Sequence, residues 1–129
     1  MPRSDTGLSQ PSAEITETRR LLEEIPIQLD DARKRYIEKR KEWQIAKEVE
    51  DNKYDMIYLS EKAKDGERTL NDLEAQARSG SHTERMDVIC KEADMKLVEN
   101  EIKFLSDQHE AALEDSRTFR AELKTGFQG

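Results

Sequence analysis

Seven basic side chains crowd into the stretch RKRYIEKRKEWQIAK, from Arg33 to Lys47. Against Glu38 and Glu42 they leave a local charge of +5 in a chain whose net charge is -7, so the remainder carries -12. On a helix Arg33, Arg40 and Lys47 are each seven residues apart and fall on one face, with Tyr36 and Trp43 beside them. Cations that neutralise phosphates and rings that stack on bases are what a nucleic-acid strand requires. The residues that would bind it are Arg33, Lys34, Arg40, Lys41 and Lys47. A plainer reading is favoured: a solvated, ion-paired face, opposed by the acidic stretch 98–112 with Glu99, Glu101, Asp107 and Glu110 against Lys103.

Other chemistry-bearing residues stand alone. The two histidines, His82 and His109, are far apart in the chain, and Ser106 occupies the position where a di-iron Glu-x-x-His pair would carry its glutamate. His109 therefore reads as structural polarity on an apolar seam, reaching Tyr36 or setting the register. Cys90 has no histidine or cysteine motif around it, which suggests a packed or half-exposed thiol. There is no glycine-rich phosphate loop and no serine elbow. The expectation is a non-enzyme, with no catalytic residue, cofactor or metal.

The elements that would carry these residues follow from a heptad repeat. Val88, Met95, Val98, Ile102, Leu105, His109, Ala112, Ser116, Phe119 and Leu123 keep steps of three, four or seven, which predicts a long helix with one apolar stripe. Leu22, Ile25, Leu29, Ala32, Tyr36, Trp43 and Ala46 do the same in the first half. That seam weakens at Glu50 and Lys53 before Ile57 restores it. Pro26 lacks an amide donor and predicts a kink or restart.

Asp65-Gly66 and Ser79-Gly80 read as helix stops, Thr69 as a cap, and Ser81-His82-Thr83-Glu84 as a capping box. The expected domain is all-α: a flexible arm over 1–12, then one hairpin over 13–129 with helices at about 13–24, 26–64, 69–78 and 82–124. It is a long antiparallel two-helix coiled coil with a short helical insert at its tip. With the turn near 66–80, Ile57 would face Val88, Trp43 would face Ile102, Tyr36 would face His109, and Ala32 would face Ala112.

Composition fits this layout. Hydrophobic residues make up 34% of the chain and aromatics 5%, too little for a thick central core but enough for one stripe per helix. The acidic balance argues against wholesale coating of nucleic acid or an anionic membrane. Nowhere do eighteen apolar residues run together, and the first residues lack the apolar run of a signal peptide. With a single cysteine excluding an internal disulfide, the expected location is the cytoplasm, or the host cytoplasm for a phage-encoded chain.

Apolar residues off the seam exceed what one hairpin buries. Tyr54, Tyr58, Met86, Ile89 and Leu97 are candidates for a self-association or partner interface, unless the short helix with Leu70 and Leu73 folds over them. The order of a charged helix ending in YDMIYLSEKAKDG, a short TLNDLEAQAR segment and a final EADMKLVENEIKFLSDQHEAALEDSRTFRAEL helix resembles small, largely uncharacterised helical proteins of phage genomes, often found near replication and recombination genes. The resemblance covers 26–124 and carries over no site residue. It implies a phage or prophage origin, a homo-oligomeric hairpin, and an accessory or regulatory role through contact with a replication, recombination or host-defence protein. The alternatives are the nucleic-acid module above and an acidic inhibitor that mimics DNA.

Overall fold

Helices α1 (Pro2–Lys62), α2 (Leu70–Gly80) and α3 (His82–Gln128) follow one another in a computed structural model. It describes the backbone of residues 2–64 and 66–128 and the side chains of 13–64 and 66–125. The two long helices pack against each other with the short one between them, a helical hairpin with no strand among the described residues. The side chains of the arm expected over 1–12 lie outside the described residues.

The heptad stripe is the packed stripe as far as Phe119, while Leu123, expected on it, is 56% exposed. Val88, Met95, Val98, Leu105 and Ala112 are buried on α3, and Ile102, His109, Ser116 and Phe119 are half-buried between them. On α1 the buried apolar positions are Ile25, Leu29, Ala32 and Ala46, with Leu22, Tyr36, Trp43 and Ile57 half-buried. Two compact units share these helices, one of Met1–Lys34 with Asn100–Gly129 and one of Arg35–Glu99. In the first, Ile25, Leu29, Ala32 and Leu105 form a buried cluster flanked by Leu21 and Ile102.

Pro26 does not divide the first helix: α1 is continuous where separate helices over 13–24 and 26–64 were expected. The missing amide costs an interior helix roughly 3 kcal/mol. Ile25, Leu29 and Ala32 straddle the proline and are fixed in one cluster with Leu105. Fully burying a large aliphatic side chain contributes about 1.5–3 kcal/mol, so packing on both sides outweighs the local penalty.

In the second unit, α1 ends at Lys62 and the chain turns with Gly66 at φ +118, a conformation that favours glycine. Thr69 caps α2, its hydroxyl accepting from the Asp72 amide at 3.2 Å. Glu61 clamps the turn, receiving a bond from Lys64 at 2.8 Å and another from Arg68. Its carboxyl is held below the usual range, chiefly by the Lys64 hydrogen bond.

The capping box at Ser81 is not formed. The Ser81 amide and hydroxyl both donate to the Ala77 carbonyl, at 3.1 and 2.7 Å, while the Arg85 amide donates to the Ser81 carbonyl at 2.9 Å. The helical ladder thus crosses the one residue between α2 and α3. Glu84, assigned to the box, keeps a buried oxygen without a partner. The short helix lies between the two long ones, as expected, and buries Leu73 and Ala77.

The register differs from the expected one. Ile57 lies against Gly80, where an added Cβ would meet its Cδ1, and Glu50 pairs with Arg85 at 3.5 Å. In the first unit Ala32 shares its cluster with Leu105, not with Ala112. Facing positions are displaced by about one heptad from the expected pairs. A heptad stripe looks the same after a shift of seven residues, so the pattern aligns faces while the turn selects the register.

Candidate functional site

The basic stretch runs through both units on α1. Arg33 and Lys34 belong to the first unit, while Arg40, Lys41 and Lys47 belong to the second. Within the second unit, Arg40 and Lys47 share one side of α1, and Lys41 is turned about 100° from Arg40. Lys34 and Lys39 pair along α1 itself, with Asp30 at 3.0 Å and Glu42 at 3.4 Å. No ion pair joins Arg33, Arg40 or Lys41 to another described residue, and all three are exposed. The aromatic half of the nucleic-acid arrangement is occupied: Lys47 Nζ stands 4.6 Å from the centre of the Trp43 ring, and the indole Nε1 is buried without a partner. Tyr36 is half-buried.

The expected apolar interface separates into two parts. Tyr54 and Tyr58 are half-buried and stack on each other, with ring centroids 6.4 Å apart at 15°. They lie toward the seam side of α1. Met86, Ile89 and Leu97 point outward from α3, with Leu97 67% exposed.

Ile45 and Val49, which sequence reading missed, join Met56 and Leu59, which it placed among the apolar residues off the seam, in an outward set on α1, each more than half exposed. With Asn52 these positions advance in steps of 4, 3, 4 and 3, a second heptad stripe on the side away from the seam. Met86, Cys90, Ala93 and Leu97 repeat the steps 4, 3 and 4 on the outer side of α3, where Cys90 is exposed. The signal was available in the spacing of Ile45 and Val49, hidden because both sit inside or beside the basic stretch.

Other candidate chemistry does not converge. His82 is exposed and His109 half-buried, and no group of three or more His, Cys, Asp or Glu side chains is placed to hold a metal among the described residues. A cleft of about 350 Å³ in the first unit is lined by Thr18, Arg19, Leu22, Ser116, Phe119 and Arg120 among others, and contains no carboxylate or imidazole for proton transfer. Among the described residues no helix is long and apolar enough to cross a membrane.

Fold and surfaces together define a helical hairpin whose second unit carries apolar stripes on its outer as well as its inner sides. Comparison of the chain with protein-family models, curated proteins and solved structures gave no match.

Proposed function

We propose that this chain is a non-catalytic accessory or regulatory protein of phage type, a homo-oligomer that works by protein contact in the cytoplasm. The observation that carries the reading is the alignment of exposed Ile45, Val49, Met56 and Leu59 into one stripe, matched on α3 by Met86 and Leu97. Scattered apolar residues on a surface need no explanation, whereas a heptad-spaced set on a helix already packed on its other side fits a contact face. The phage resemblance directs the search toward replication, recombination and host-defence proteins.

The test is affinity capture from infected host cells with the wild-type chain and with a Met56→Lys, Leu97→Lys variant of equal helicity. Discrete enrichment of a protein by the wild type and its loss in the variant supports the reading. Equal capture by both, or recovery of nucleic acid alone, contradicts it.

A second reading rests on Arg40 and Lys41 of the second unit, both exposed and joined by no ion pair to another described residue: contact with a nucleic-acid backbone. Binding of a short single strand should then fall steeply with salt and disappear in Arg40→Glu, Lys41→Glu. Insensitivity to both removes it. The acidic DNA-mimic alternative has no comparable support, because acids such as Glu92 and Glu114 are interleaved with and paired to Lys96 and Arg117.

A further inference from the structure

Two outward stripes on opposite sides of one hairpin cannot both be covered by pairing a single face with itself. The second unit carries them on α1 and α3, each facing away from the seam that joins the two helices. We infer that the partner of the α1 outer stripe is the α3 outer stripe of a second copy, packed antiparallel, so that one kind of interface covers both faces and repeats from copy to copy. The inference rests on the contact-surface reading above and names what occupies the surface.

The charges beside the stripes choose among the antiparallel pairings. On α1 the flanking positions hold Glu48 and Asp55 on one edge and Lys53 on the other; on α3 they hold Lys96 on one edge and Asp87 and Asp94 on the other. An antiparallel heptad interface brings like-lettered flanks together. Pairing α1 with α3 of the next copy, in the register that sets Ile45 beside Leu97 and Asn52 beside Cys90, aligns Glu48 with Lys96 and Lys53 with Asp87. Pairing α1 antiparallel with another α1 sets Glu48 against Asp55. Pairing α3 antiparallel with another α3 sets Asp87 against Asp94. Like charges at such positions disfavour association, and opposite charges fix register. The interface is head-to-tail, so it closes into a ring or continues as a filament according to the rotation between copies. An open assembly leaves one outer face free at each end for a different protein.

The single cysteine makes the pairing testable. Asn52 and Cys90 lie on opposite outer sides of the same hairpin, and a disulfide needs Cβ atoms about 4 Å apart, so a 52–90 bridge forms only between copies. Mild oxidation of the full chain carrying Asn52→Cys should give a ladder of dimers, trimers and larger species on a non-reducing gel. The wild type, with Cys90 alone, should remain uncrosslinked, as should Asn52→Cys, Cys90→Ser. Adding Val49→Lys to Asn52→Cys should abolish the ladder.

A Cys90 dimer in the wild type would overturn the inference in favour of parallel pairing of α3 with itself, and a dimer of Asn52→Cys, Cys90→Ser would do so in favour of α1 with itself. A monomeric wild type with no ladder would also overturn it. That result would leave contact with a different protein to be decided by the capture experiment.

Discussion

The first unit gathers Ile25, Leu29, Ala32 and Leu105 into one buried cluster at the seam and leaves Ile27, Phe104 and Leu123 exposed without a heptad spacing between them. The second unit distributes them differently. Its seam contains the Trp43 indole nitrogen and one oxygen each of Glu50 and Glu84, all buried without partners, while Ile45, Val49, Met56 and Leu59 face solvent. An unsatisfied buried polar atom costs about 1–3 kcal/mol, and an exposed aliphatic side chain forgoes its burial energy. The second unit therefore gives up intramolecular stability on both sides of α1. The contrast places the heptad-spaced exposed apolar residues in the second unit, beside a seam that still buries Val88, Met95 and Val98.

Substitutions in the two units should respond accordingly. The largest effect is expected for Ile25→Ala, which opens a cavity in the first cluster and should cost roughly 2–5 kcal/mol, read as a lower midpoint in urea unfolding. A loss below about 1 kcal/mol would break the contrast. Glu50→Leu in the second seam should act in the opposite direction and raise the melting temperature. It removes a buried oxygen with no partner and releases only the exposed Arg85, for a gain of about 1 kcal/mol.

At the turn, Gly66→Ala forces a side chain into positive φ and should cost about 1 kcal/mol. Smaller still is the acid response of the turn. The Glu61 carboxyl is depressed from 4.5 by Lys64 and Arg68, so its contribution is present above 4.5 and lost as pH falls through the lower folded value. An acid titration of melting temperature should show a shallow loss there, flattened by Glu61→Gln. A rise in stability through that window would contradict the clamp.

The order of these effects follows what was legible in the sequence. The seam from Val88 to Phe119 could be read residue by residue because helical period and burial share one cause. Gly66 and Thr69 were legible because positive φ and a free helix terminus demand those residue types. Register was not, since a stripe of period seven is unchanged by a displacement of seven. Continuity through Pro26 depends on Leu105, distant in sequence, and Ser81 bonds back to Ala77 instead of forward to Glu84. The contact surfaces were half legible. Met86, Ile89 and Leu97 stood out as excess apolar residues, whereas Ile45 and Val49 were masked by neighbouring lysines, and Tyr54 and Tyr58 belong nearer the seam.

The outer faces of the second unit as contact surfaces are tested most directly by the solution mass of the wild type, Met56→Lys and Leu97→Lys across a concentration series, with helicity followed in parallel. Both substituted side chains are exposed, so each variant should keep the helicity of the wild type. The expected result is a wild-type mass above that of one chain and rising with concentration, and single-chain mass for both equally helical variants. A wild type that stays at single-chain mass throughout, or variants that assemble as the wild type does, would contradict self-association through these faces.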